Sequence, residues 1–388
     1  MDFWWGFYGL LIILWMIMIM LPYRWRFVVT IIYVLMVVLV SGLRDNIGHD
    51  FVGYANLYDT YANASFMAAM GDIVSEPTFA FVISLLGAIG GTYQLLFLFY
   101  SVVTILGMYY GFRYWLSKDG LAVFFAMILY ITYNSTGGFW WGMNGIRQAA
   151  AMGIVFAFSR FIYFNKIKFY IGIGLGLLFH YSALIFFPAI LMINKMFSKK
   201  KILLLVVLSV IFTISGISKE IVLSLLSVVF YLIGKYESAL LFIPEGSKSF
   251  SYMSFVYVVL FLGSMYVMSE KQEERKKIII FNLASVYMIM RILTSFSLGP
   301  SSVQYVLHRF ETYYTPFFLV LLTETCFAIS RRIKPIVCGY IVMASFAAVM
   351  AVLSIISIAK IGGYTDYPLE PDYPGDNVKY EYNTEVIE

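Results

Sequence analysis

Long apolar runs, broken by short polar or basic segments, recur from residue 3 to residue 359. Most have the roughly 17–25 residues that a helix needs to cross a bilayer, and a few are shorter. About twelve spans are predicted in this way, near 3–21, 27–43, 93–112, 120–134, 146–164, 167–180, 183–197, 202–218, 252–269, 278–298, 310–329 and 335–359. No run alternates with the two-residue period of a barrel strand, and lipid offers no partner to unpaired backbone groups, so the spans must be helical. The pattern predicts an all-α polytopic membrane protein with a single transmembrane domain over residues 1–359. Neither a soluble domain nor an internal repeat is visible.

Basic residues set the orientation, because they resist crossing to the outside. YRWR (23–26), Arg113 with Lys118, Lys166 with Lys168, NKMFSKKK (194–201), SEKQEERKK (269–277) and RRIK (331–334) occupy alternate loops. With Arg160 they hold two thirds of the 27 lysines and arginines. These loops are expected in the cytoplasm, where their lysines suit anionic lipid. Both termini are then outside, with outer loops at 44–92, 135–146, 219–251 and 299–309 and an acidic tail at 360–388. Residues 77–91 are too short for an easy crossing and are expected to form a re-entrant or interfacial outer helix. Residues 167–197 have lysines at both ends that want the same side, so two short tilted helices should meet at the outer face near His180. The tail is expected to be a disordered, solvated end.

Composition narrows the class. The chain is 61% hydrophobic, 19% aromatic and 13% charged, with a mean hydropathy of +0.83. A soluble domain carries about a quarter charged residues, so soluble enzymes, disordered chains and secreted disulfide scaffolds are excluded. Cys326 and Cys338 flank the RRIK turn and are expected to be free thiols. The first apolar run lacks a basic start and a cleavage site, and is expected to be retained as a helix. No Walker A, GxGxxG, CxxC or HExxH pattern occurs, and no metal-ligand spacing. No cofactor is therefore expected, and no nucleic-acid partner.

The polar residues fall unevenly on the two sides. Arg44, Arg147 and Arg309 lie at the outer face with His49, His180 and His308, and Arg291 lies within a span. Single arginines at helix ends often snorkel to headgroups and do nothing else. Four converging on one face, against the positive-inside bias, point to a site. A guanidinium fork grips phosphate oxygens in bidentate fashion at any relevant pH, which suits a pyrophosphate headgroup. In RDNIGHDFVGYANLYDTY (44–61), a helix from Asp50 would put Asp50, Tyr54 and Tyr58 on one face; a solvated helix capped by Asp50 fits the spacing equally well. Glu76 precedes Pro77 at the start of the next apolar helix, where its charge also suits the helix dipole. In NSTGGFWWGMNGIRQAA (134–150), Trp140 and Trp141 offer flat faces for sugar rings, although an interfacial aromatic belt would place them there too. Asn144, Arg147 and Gln148 at a helix start point to an anionic ligand. His180 in HYS is either a packed core histidine or a general base.

Taken in order, RxxxGxDxxxY (Arg44, Gly48, Asp50, Tyr54), Glu76–Pro77, NxxRQ (Asn144, Arg147, Gln148), HxS (His180, Ser182) and Arg309 with Tyr313 and Tyr314 resemble the EpsG family of bacterial exopolysaccharide proteins, relatives of the Wzy O-antigen and capsule polymerases. The resemblance covers roughly residues 25–330. It implies a GT-C-like helical fold in the bacterial inner membrane, with an active site facing outward. It further implies inverting glycosyl transfer between undecaprenyl-pyrophosphate-linked glycans, with a chain-length regulator as a candidate partner; no metal is expected, because guanidinium groups can neutralise the leaving group. On this reading Arg147, Arg309, Arg44 and Arg291 hold the pyrophosphate. His180, Asp50 or Glu76 takes the acceptor proton, with His180 favoured. Trp140, Trp141, Tyr54, Tyr58, Asn144 and Gln148 line the sugar path. The rival readings are a lipid-linked oligosaccharide flippase, an O-antigen-ligase-type transferase and an inactive scaffold.

Overall fold

The computed structural model describes residues 2–48, 50–72, 76–116, 120–133, 138–214, 252–267, 274–295 and 309–361. The outer stretch at 219–251, the loop at 299–308, the tail beyond residue 361, His49 and His308 lie outside the described residues. Among those described, every regular element is helical. The helices are α1 (Asp2–Met20), α2 (Tyr23–Gly42), α3 (Phe51–Tyr61), α4 (Phe66–Asp72), α5 (Pro77–Ala88), α6 (Tyr93–Trp115), α7 (Gly120–Thr132), α8 (Phe139–Asn144), α9 (Ile146–Phe158) and α10 (Lys166–Phe179). After a 3-10 helix (Tyr181–Met192) come α11 (Lys199–Ile214), α12 (Tyr252–Val267), α13 (Arg275–Ser295), α14 (Thr315–Ser330) and α15 (Ile336–Ile361).

Five helices are long and apolar enough to cross a membrane, within α1, α2, α6, α13 and α15. Further apolar helices, among them α5, α7, α12 and α14, are shorter. The expected span at 146–164 is a helix of 13 residues, because Gly145 ends α8 and a 3-10 turn at Ser159–Phe161 ends α9. The stretch at 167–197 is divided at His180, whose extended backbone (φ −163, ψ 127) stops α10. From Tyr181 the chain continues as a 3-10 helix containing Pro188. Proline lacks the N–H that an α-helical ladder needs, and 3-10 hydrogen bonding suits short pieces better. Asn282, fully buried on α13, secures the end of this helix by donating to Met192 O (2.7 Å) and Lys195 O (2.9 Å).

Lipid cannot satisfy a stray hydroxyl, and the threonines of the helices bond inward. Thr104, Thr132, Thr323 and Thr325 each donate to the carbonyl four residues earlier. The packing that matters most for the site is α6 against α9, the most extensive helix pair. A Cβ on Gly107 would lie 2.4 Å from the backbone of Gly153, so the two helices cross backbone to backbone. Small residues permit this approach, as at close crossings in membrane bundles.

The basic helix ends gather at one end of the bundle. Lys276 Nζ donates to Tyr114 O (3.0 Å), and the Tyr114 and Tyr163 hydroxyls meet at 2.5 Å. Arg331, Lys276, Lys277 and Glu274 line a cavity of about 390 Å³ there with the end of α6. Cys326 and Cys338 are both free thiols. A separate apolar cluster covers the opposite end, built from Phe51, Tyr54, Tyr58, Phe79, Phe97 and Tyr100.

Candidate functional site

The first turn of α9 carries Arg147. Pro77 forces the residue before it into extended backbone, and Glu76 (φ −72, ψ 149) obeys. Its carboxylate sits at the positive start of α5 but makes no capping bond there, and it pairs with Arg147. Glu76 Oε2 accepts from Arg147 Nη1 at 2.5 Å, while Oε1 accepts from the Tyr181 N–H at 3.4 Å. Glu76 is buried; the Arg147 side chain keeps 25% of its exposure. Its guanidinium stands 5.2 Å from the Phe79 ring and 5.8 Å from that of Tyr54. Cation–π contact fixes the direction of the fork without consuming its donors. Burial raises the Tyr54 phenol above its ordinary pKa, so it stays a neutral wall.

His180, in the connection between the two short helices, meets this pair from the other side. Its Nδ1 accepts from the Ser182 N–H (3.2 Å) and lies 2.6 Å from Ser182 Oγ. A ring nitrogen that accepts a backbone N–H carries no proton, so the neutral imidazole bears its hydrogen on Nε2. Nε2 is 3.9 Å from Glu76 Oε1. Ser182 Oγ, donating to Nδ1, is left to accept from the Tyr313 hydroxyl at 3.0 Å. The result is a directed chain, Tyr313 to Ser182 to His180.

Burial, with the Arg309 and Arg147 charges adding to it, pushes the His180 pKa down to about 3. An unfolded histidine binds a proton below about 6.5, and the folded one does not until about 3. The contribution of His180 to stability is thus intact above pH 6.5 and is lost progressively as pH falls toward 3. Thermal melts in detergent are expected to show this decline in the wild type and a weaker one in His180→Gln. Equal slopes would mean that folding does not disfavour the protonated imidazole.

The segment entering α14 completes the cluster. Gln148 Nε2 donates to Arg309 O (2.6 Å) and Thr312 Oγ1 (3.0 Å), tying α9 to that segment. Tyr314 OH donates to Ile185 O (2.9 Å) and holds the 3-10 helix against it. Behind these lies a buried ion pair, Arg291 Nη1 to Glu311 Oε1 at 2.9 Å, with Thr294 Oγ1 donating to Oε2 at 3.2 Å.

Other expected site residues stand elsewhere. Arg44 is buried, and its guanidinium donates to the carbonyls of Ser41, Ile47 (3.1 Å) and Met143 (2.6 Å) beneath the Phe97 ring. It ties the turn after α2 to α8. Trp140 is also buried, donating to the Tyr8 hydroxyl (2.7 Å) with its ring 4.2 Å from Trp4. Trp141 is half-buried. Tyr54 and Tyr58 share the inward face of α3, while Asp50 is exposed at its start. Asn144 packs against Gly48, where φ is +104 and a Cβ would meet Asn144 Oδ1 at 2.6 Å.

The EpsG family model matches residues 27–367 of the 388. The chain belongs to the EpsG family. No curated protein and no solved structure matches it. The EpsG family is one of Wzy-type polysaccharide polymerases, which gives this multi-pass helical protein a polysaccharide-polymerase-like role. Every residue of the cluster, from Glu76 to Tyr313, lies inside the EpsG match.

Within that span, sequence reasoning overlooked Glu311 and Thr312. In HRFETYY (308–314) the arginine and tyrosines stand out as site chemistry, while the acid between them does not. The available signal was Arg291 itself, since a guanidinium inside an apolar helix calls for a nearby carboxylate.

Proposed function

We propose that the protein polymerises undecaprenyl-pyrophosphate-linked oligosaccharide repeat units at the outer leaflet of the bacterial inner membrane. The observation that carries this reading is the meeting of Arg147, Glu76 and His180, with the Arg309 charge near enough to act on the imidazole, at the end of the bundle away from the basic loops. In the reaction, the bond between the donor's anomeric carbon and its pyrophosphate oxygen breaks, with inversion and without a metal. A hydroxyl of the acceptor sugar takes its place. The departing pyrophosphate carries the developing charge, and Arg147 and Arg309 neutralise it. The acceptor proton goes to His180 Nδ1, the ring nitrogen with a lone pair, by way of Ser182 Oγ, once the pyrophosphate on Arg147 and Arg309 offsets the two charges that help to depress the pKa of this imidazole. Glu76 then balances the imidazolium.

Two of the candidate bases rank behind His180. Glu76 is held by Arg147, and Asp50 is exposed at the start of α3. Arg44 and Arg291, occupied by carbonyls and by Glu311, are assigned to holding the fold around the site. Trp140 is assigned to the α1 contact, and buried Gln148, whose amide donates to Arg309 O and Thr312 Oγ1, to the tie between α9 and the segment before α14, which leaves Trp141 and Tyr54 nearer the sugar path.

The test is reconstitution of the purified full-length chain in vesicles with an undecaprenyl-pyrophosphate-linked repeat unit. A ladder of products spaced by one repeat is expected. Single units that change leaflet but never lengthen would instead identify a flippase, and transfer to a different lipid acceptor a ligase.

A further inference from the structure

A second cavity, of about 260 Å³, opens between the basic ends of α2, α6 and α7. Arg26 and Arg113 line it with Thr30, Phe27, Tyr109, Gly120 and Val123, and among the described residues that line it there is no carboxylate. This distinguishes it from the 390 Å³ cavity, where Glu274 and Glu324 offset the lysines and Arg331. Arg26 is held at its Nε, which donates to Leu21 O at 3.1 Å, so that bond uses neither of its two terminal nitrogens. Thr30 turns its hydroxyl back to Arg26 O (2.8 Å), so the first turn of α2 is braced where the guanidinium leaves it. Phe27, Val28, Ile31 and Trp25 are exposed apolar side chains on the same stretch, a surface suited to acyl chains.

Two guanidiniums above an apolar wall match a phosphodiester headgroup with its acyl chains below. Basic pockets between membrane helices on the cytoplasmic side bind anionic lipid in this way. We propose that the Arg26–Arg113 cavity holds the phosphate of an anionic phospholipid of the leaflet facing the lysine-rich loops. The site stands apart from the polymerisation chemistry and does not depend on it.

The full-length protein in detergent would be titrated with phosphatidylglycerol, phosphatidylcholine or inorganic phosphate, and lipid retention read by native mass spectrometry. Phosphatidylglycerol is expected to be retained over phosphatidylcholine. R26Q/R113Q should weaken that retention roughly 30-fold, the effect of two basic contacts near a membrane surface. Lys200→Gln, a charge removed elsewhere at the same end, should not. Should the double variant fold poorly, R113K serves: it keeps the charge, loses the fork, and is expected to weaken retention severalfold. Equal loss in Lys200→Gln would mean diffuse attraction to a basic surface and overturn the proposal. So would binding of inorganic phosphate with no preference for phosphatidylglycerol, or unchanged retention in folded R26Q/R113Q and R113K.

Discussion

Alanine at Arg147 is expected to end the formation of long polymer, with turnover falling about 10²–10³-fold, the usual loss when a donor to a developing negative charge is removed. The same change strips buried Glu76 of its partner, and an unsatisfied buried acceptor costs about 1–3 kcal/mol. Lost activity could then be mistaken for lost protein, but the geometry separates the two. In R147A/E76Q the orphaned charge is gone, so the melting temperature should recover while polymer does not. Lysine at Arg147 keeps the pairing with Glu76 and loses the bidentate fork, so an intermediate chain length is expected. Long polymer from well-folded Arg147→Ala would remove the arginine from the chemistry.

The second large effect is expected behind the site. The Arg291 and Glu311 side chains are 7% and 0% exposed, deep enough that neither charge has water to fall back on. Glu311→Ala leaves the guanidinium alone, and breaking such a pair costs about 3–5 kcal/mol. Most of the folded protein should disappear from the membrane fraction. Replacing both partners by apolar residues of similar size is often close to neutral, so Arg291→Met with Glu311→Leu is expected to restore abundance. If that double variant also restores polymer, the pair serves the scaffold. A well-folded double variant without polymer would return Arg291 to the pyrophosphate. Glu311→Ala with the wild-type melting temperature would contradict the ion pair itself.

The chain's own pattern carried the helical class, and the spacing of motifs carried Glu76, Arg147 and His180, which the fold brings within a few ångströms of one another. Arg44 shows why the rest was hidden. An arginine beside an outer loop reads the same whether it faces a substrate or three main-chain carbonyls, because carbonyl directions are set by turns that side-chain identity only loosely specifies. Trp140 is similar: two neighbouring tryptophans at a boundary look alike, yet one packs on Trp4 and the other stays half-buried. Span number was obscured for a different reason. Apolar content does not reveal where a helix stops, and Gly145, His180 and Pro188 end or reshape helices inside runs that hydropathy alone reads as continuous.

Where α6 crosses α9 at Gly107 and Gly153, no side chain lies between the two main chains to be compressed or to change rotamer. The start of α9 is therefore set at a defined height against α6 when the protein folds. On the proposed mechanism Arg147, one residue into that helix, would need no recruitment when a diphosphate arrives. Its reorganisation cost would then be met in advance, since a preorganised cation lowers a barrier more than one that must first be gathered from solvent.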